Sequence, residues 1–185
     1  MPELSWRAPL RGVAVARPGF TLRGVDDLPL ARLQLFARDA DVLAQAAAAF
    51  AAPLPPVGAV TALTDRRRLA GTAPGAWLAL GAPGTTGTAL SEALAAPLAG
   101  LPAVVAPATD GFVLLQLAGP AVATVLARGT TLDPAQLRPG RCAATRFAQV
   151  PALLLPDAEG VLLLARRSLA AYLRDWFDAA SVDCR

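Results

Sequence analysis

The sequence predicts an α+β fold in which mixed, largely antiparallel sheets are packed by helices. Three observations point there. Ala31 to Ala37 (ARLQLFA) alternates apolar and polar residues as a half-buried strand does. Leu169, Leu173, Trp176, Phe177 and Ala180 recur at helical spacing behind Ser168, a good N-cap residue. Asp110-Gly111, set between two apolar runs, is a strong short-range hairpin signal. A chain of 185 residues is sized for one well-cored domain, or at most two small ones sharing a core, expected here as a domain over residues 31–185 behind an arm over residues 1–30. That arm holds Pro2, Pro9, Pro18 and Pro29 with several glycines, a composition poorly suited to packing alone and suited to lying over a partner.

Beyond the arm the elements follow in order. Asp39 opens a helix through Val42, Leu43, Ala46, Ala47 and Phe50, which must stop before Pro53. Residues 53–75 form a Pro/Gly-rich connection with a short strand near Val60 to Leu63. Ala76 to Leu80 reads as a buried strand, followed by a helix over Thr88 to Leu98 capped by Thr88. Strands at Ala103 to Ala106 and Phe112 to Leu117 flank the Asp110-Gly111 turn and are expected to pair with each other. Gly119-Pro120 starts a helix that buries Val122, Val125 and Leu126, and Gly129 ends it. Cys142 to Leu155 reads as one long strand, the turn Asp157 to Gly160 returns the chain as Val161 to Ala165, and Ser168 caps the last helix.

Composition excludes much chemistry. All seventeen basic residues are Arg, and Lys, His, Asn and Ile are absent, while Ala, Leu, Gly and Pro abound. This is the signature of a GC-biased genome, so the sequence pI of about 9.6 and net charge of +3 are weak grounds for nucleic-acid binding. No basic stripe is interleaved with aromatics, and Arg66, Arg67 and Arg68 read as a solvated turn. Without His there is no Ser-His or Cys-His nucleophile pair and no imidazole metal ligand; without Lys there is no Schiff base and no phosphate-loop lysine. The mean hydropathy of +0.46 raises a membrane question. The uncharged stretches Val42 to Thr64 and Leu69 to Ser91 answer it, being broken by Pro53, Pro55, Pro56, Pro74 and Pro83. Arg7, Arg11 and Arg17 likewise interrupt any signal-peptide core, which predicts a cytoplasmic protein.

The remaining candidates each have a structural role at hand. Gly81-Ala-Pro-Gly84-Thr-Thr-Gly87-Thr88 could offer amides to an anion but matches neither a phosphate loop nor a dinucleotide fingerprint, so it reads as a strand-to-helix turn. Cys142 and Cys184 are too far apart for a CxxC motif, and Cys142 begins an apolar run as a buried thiol. Asp39, Asp110 and Asp133 stand where helices or turns begin, and Asp157 with Glu159 lies in a turn, so no carboxylate pair suggests glycosidase-like work. No catalytic, cofactor-binding or metal residue is assigned.

In the C-terminal half a series of segments stands in one order: Gly111-Phe-Val-Leu-Leu-Gln-Leu-Ala-Gly-Pro120, Val125-Leu-Ala-Arg-Gly129 with Leu132-Asp133, Pro139-Gly140, Ala144-Thr145-Arg146 and Val150, then Leu164-Ala-Arg-Arg-Ser-Leu-Ala-Ala-Tyr-Leu-Arg-Asp-Trp176. With Ala76-Trp77-Leu78, these residues resemble the gamma subunits of heterotetrameric sarcosine oxidase over roughly residues 31–180. The resemblance implies the folate-binding fold of the glycine-cleavage T-protein. It also implies an accessory place beside alpha, beta and delta subunits, which carry FAD, FMN, NAD, folate and zinc and oxidise sarcosine to glycine with peroxide formation. A stand-alone folate-binding or iron-sulfur-assembly protein of the same fold is the rival reading. Such a protein would carry a Lys-Gly-Cys-Tyr-x-Gly-Gln type motif near Cys142, where this chain has Gly140-Arg-Cys-Ala-Ala-Thr-Arg146.

Overall fold

The structure is a computed structural model, and it describes residues 9, 10, 12–63 and 66–184. In chain order the elements are β1 (Val13–Arg17), β2 (Phe20–Gly24), β3 (Leu30–Leu35), α1 (Ala40–Ala49), β4 (Val60–Ala62), β5 (Arg68–Ala73), β6 (Ala76–Leu80), α2 (Gly87–Ala95), β7 (Ala103–Pro107), β8 (Phe112–Ala118), α3 (Val122–Gly129), β9 (Ala143–Phe147), β10 (Val150–Asp157), β11 (Gly160–Arg166) and α4 (Ala170–Ala180). They form two sheets, a six-stranded one in the order β1-β2-β8-β11-β10-β9 and a five-stranded one in the order β4-β5-β6-β3-β7. The described residues divide into two compact units. The first takes the chain up to Asp26, Gly111–Gln136 and Thr145 onward; the second takes Asp27–Asp110 and Leu137–Ala144.

In the first unit the central strands are buried at successive positions: Val113–Leu117 in β8, Ala152–Pro156 in β10 and Val161–Ala165 in β11. Both faces of this sheet are therefore covered, which accounts for its runs of Leu and Val instead of a polar-apolar alternation. Gln116 is the polar exception within β8, and its Nε2 donates to Asp157 Oδ1 at 3.2 Å. α4 buries Ala170, Leu173 and Phe177. Phe177 stacks on Phe20 (centroids 5.9 Å) and Phe147 (5.2 Å), with Trp176 edge-on to Phe147 (4.8 Å), so the aromatic stripe is core. Gly129 closes α3 against this cluster, where a Cβ would stand 2.5 Å from the Phe147 ring. Arg128, in the last turn of α3, grips Asp183 through two bonds of 2.6 and 3.0 Å and also donates to the Ala180 carbonyl, fastening the turn after α4. That guanidinium holds the Asp183 carboxyl below its ordinary range.

In the second unit Ala31, Leu33 and Leu35 of β3 face a core with Leu69, Trp77, Ala79, Leu90, Leu94 and Leu98. The alternation that predicts this strand reports one face buried and one exposed, with Arg32 and Gln34 outward. α1 begins where expected, Asp39 Oδ1 accepting from the Val42 amide at 3.0 Å.

Several expectations are corrected. Residues 13–24 are not an unpacked arm. β1 and β2 form a hairpin across Pro18-Gly19, with Phe20 and Leu22 buried and β2 paired to β8. β7 and β8 do not pair across Asp110-Gly111. A 3-10 turn over Thr109–Gly111 separates them, Thr109 Oγ1 accepts from the Leu30 amide, and β7 joins β3 while β8 lies between β2 and β11. Long-range pairing thus outweighs a local turn preference. Cys142 to Leu155 is not one strand, because Ala148 and Gln149 both take positive φ (47° and 67°) and turn β9 into β10. Thr86 rather than Thr88 caps α2, its Oγ1 accepting from the Ala89 amide, and α2 stops at Ala95 before a 3-10 turn to Leu98. α3 begins at Val122, two residues past Pro120. Ser168 lies inside a 3-10 turn, and Leu169 precedes α4 with no side-chain cap.

Candidate functional site

An open cleft of about 540 Å³ with largely apolar walls lies in the second unit. One wall is the face of α1 that carries Leu43, Ala44 and Ala47; the opposite wall is Pro53-Leu-Pro-Pro-Val57, with Trp77 and the Ala73-Pro74-Gly75 turn completing it. The local sequence explains its rigidity. Proline fixes φ and cannot continue a helix, so α1 ends and the chain runs extended over β5 and β6. Three polar contacts pin it there. Trp77 Nε1 donates to the Pro55 carbonyl at 2.8 Å, Gly58 donates to the Gly71 carbonyl at 2.9 Å, and Gly71 donates to the Ala59 carbonyl at 2.9 Å. Only glycine permits this approach at position 71, since a Cβ there would stand 2.3 Å from the Pro56 oxygen.

Arg38 is the one charged residue on the lining. Its stem lies over Gly75, where a Cβ would meet Arg38 Cδ at 2.8 Å, and Gly75 takes φ +73° in the turn between β5 and β6. The Leu35 amide donates to the Gly75 carbonyl at 2.9 Å, tying the turn to the end of β3 just before Arg38.

Cys142 supports the same wall from behind. It is buried, its amide donates to the Gly58 carbonyl at 3.0 Å, and its Sγ lies 3.5 Å from the Ala59 oxygen and 3.6 Å from the Gly71 oxygen. Burial pushes its thiol above the ordinary value, against the pull of Arg141. A raised pKa suits a packing thiol and not a nucleophile. In the native protein at pH 8 Cys142 is therefore expected to resist a maleimide that labels it fully in denaturant. Rapid native labelling of Cys142, read by peptide mass, would contradict the assignment.

The other sequence candidates are dispersed. Asp39 caps α1, Asp133 accepts from the Ala135 amide, and Asp157 accepts from the Glu159 amide and from Gln116. Asp110 lies in the 3-10 turn. Arg66 is exposed with φ 62°, while Arg68 opens β5. Cys184 is buried near Arg128 and Asp183, far along the chain from Cys142 and in the other unit. Among the described residues no three of His, Cys, Asp and Glu are grouped as metal ligands, and no helix is long and apolar enough to cross a membrane. Sequence reasoning placed the Pro-rich connection and the Trp77 strand but missed that the β5–β6 hairpin brings them together around Arg38.

The family model for the sarcosine oxidase, gamma subunit family matches residues 37–183. The chain belongs to that family. As a sarcosine oxidase gamma-type chain it is similar to a chain of heterotetrameric sarcosine oxidase from Corynebacterium sp. U-96, solved in complex with pyrrole 2-carboxylate. The identity is 26%, the TM-score 0.76, and the match covers 90% of this chain and 85% of that one. It shares its fold with glycine cleavage system aminomethyltransferase T from Bartonella henselae, at 18% identity and TM-score 0.67, covering 90% of this chain and 46% of that one. The expected T-protein-type fold is thereby borne out. A comparison with curated proteins finds no match.

Proposed function

We propose that this gamma-type chain is a non-catalytic subunit of a heterotetrameric sarcosine oxidase, assembled in the cytoplasm with alpha, beta and delta subunits. Those partners carry FAD, FMN, NAD, folate and zinc and convert sarcosine to glycine with formation of peroxide. Exposed apolar side chains such as Phe36, Val104 and Val182 contribute to holding the chain in the complex. The observation that carries the reading is the family match over residues 37–183, joined to the likeness to a chain of a heterotetramer over nearly its whole length.

The side-chain inventory supports the absence of chemistry in this chain. A sequence without His or Lys lacks the usual proton-transfer and Schiff-base groups, and its Asp side chains at 39, 133 and 157 are engaged in capping and turns. Cys142 braces a wall. Purified alone, the chain is expected to be colourless, to produce no peroxide from sarcosine and to bind no folate at micromolar concentration. A yellow chain, turnover or micromolar folate binding would overturn this reading in favour of an enzyme or a stand-alone folate-binding protein.

A further inference from the structure

We infer that the cleft between α1 and the Pro53–Val57 strap is the docking site for an extended segment of a partner subunit, with apolar side chains in the cleft and an Asp or Glu carboxylate on Arg38. The inference rests on the reading of the chain as a subunit and names where on its surface a partner is held.

Charge decides the occupant's chemistry. Arg38 is the only charged group on an otherwise apolar lining, and among the described residues it makes no hydrogen bond or ion pair. The nearest acid in sequence, Asp39, is committed to the Val42 amide. A guanidinium is permanently charged and offers a planar fork of donors, so its complement at the mouth of an apolar cleft is a carboxylate held through two bonds. The stem is already fixed by its rest on Gly75, which lowers the entropy lost when the head is engaged.

Shape decides between a peptide and a small molecule. The volume falls within the range of about 300–1,000 Å³ that ligand sites occupy, but such sites bury most of their ligand. This cleft is open to solvent, which leaves room for a backbone to run outside while side chains enter. The lining includes Val57, 55% exposed, a large apolar residue whose cost in water is relieved by cover. Arginine, present here at the cleft, is among the residues in which interface energy concentrates. The walls need no rearrangement, since proline and the three polar contacts hold the strap in place before any partner arrives.

The test is co-expression of the full chain with the other subunits, capture through a tag on a partner, and measurement of the retained chain by mass spectrometry in competition with wild type. Three variants are compared: Arg38→Glu, Ala47→Trp to fill the cleft, and Gln45→Trp at an exposed position of α1 outside the lining. Melting of each free variant confirms folding, and Ala44→Trp replaces Ala47→Trp if the latter does not fold. The expected result is retention reduced at least about tenfold for both Arg38→Glu and the filling variant, with Gln45→Trp retained as wild type. Full retention of both lining variants beside a retained wild type overturns the docking site and leaves subunit membership standing. Loss with Arg38→Glu alone also overturns it, because long-range repulsion needs no occupied cleft. Self-association of the free chain that the filling variant abolishes assigns the cleft to a second copy. Failure of wild type itself to be retained overturns the subunit reading together with the inference.

Discussion

Replacing Phe177 with alanine is expected to cost about 3–5 kcal/mol, the range for deleting a buried aromatic ring. For a chain of this length that corresponds to a fall in melting temperature of roughly 6–20 °C. The size follows from position. Phe177 is fully buried, stacks between Phe20 and Phe147, and meets Trp176 edge-on at 5.2 Å. Its removal opens a void at the place where α4, the β1–β2 hairpin and the β9–β10 turn converge on one cluster. The neighbours cannot collapse freely, because Gly129 already sits against Phe147 and the Tyr172 hydroxyl donates to the Ala148 carbonyl at 2.7 Å, holding that turn. Phe177→Leu, which keeps most of the volume, is expected to lose markedly less. A melting temperature for Phe177→Ala within about 2 °C of wild type would show that the ring cluster is not the core of the first unit.

The first unit also shows how far the sequence is legible. Helical spacing announced α4 and its buried face, because apolar residues at 169, 173, 176, 177 and 180 leave few alternatives. The β1–β2 hairpin carried its own signal in Pro18-Gly19, where Gly19 takes φ +73°, but the prolines and glycines around it read as an arm. The turn at Ala148-Gln149 carried no signal at all. Neither residue favours positive φ, and the turn is held by bonds the sequence does not display, from Tyr172 to Ala148 and from Arg146 to the Gln149 carbonyl. The Asp110-Gly111 signal was genuine as chemistry and misleading as topology, since strands on either side belong to different sheets.

Gly71→Ala is the second large effect expected. The new methyl group would stand 2.3 Å from the Pro56 oxygen and 2.9 Å from the Pro55 oxygen, so the strap must lift away from β5. Overpacking of this kind costs about 1–3 kcal/mol, and the backbone bonds between Gly71 and residues 58 and 59 add about 0.5–1.5 kcal/mol each when broken. A fall in melting temperature on the order of 10 °C should follow, with faster amide exchange at Gly58, whose proton is held by the Gly71 carbonyl. Partner retention should fall with it, because the lifted strap is one wall of the cleft. Unchanged stability and unchanged exchange at Gly58 would contradict the account of why position 71 is glycine.

This part of the molecule was only half legible. A proline-rich connection is evident from composition, and a buried strand around Trp77 is evident from its apolar run. That the two meet depends on β5, a strand hidden in Arg68-Leu-Ala-Gly-Thr-Ala73, where an arginine run and a glycine suggest a turn. Arg38 gives no sign in sequence of being singled out. Its distinction comes from a glycine 37 positions later that has no side chain to displace it.

The most direct test of the central claim is affinity capture of the tagged chain from its native lysate, with subunit masses, an absorbance spectrum and a sarcosine-dependent peroxide assay on the eluate. A yellow complex with larger subunits that forms peroxide from sarcosine is the predicted result. A chain that elutes alone, or with iron-sulfur assembly proteins and no flavin, would contradict it.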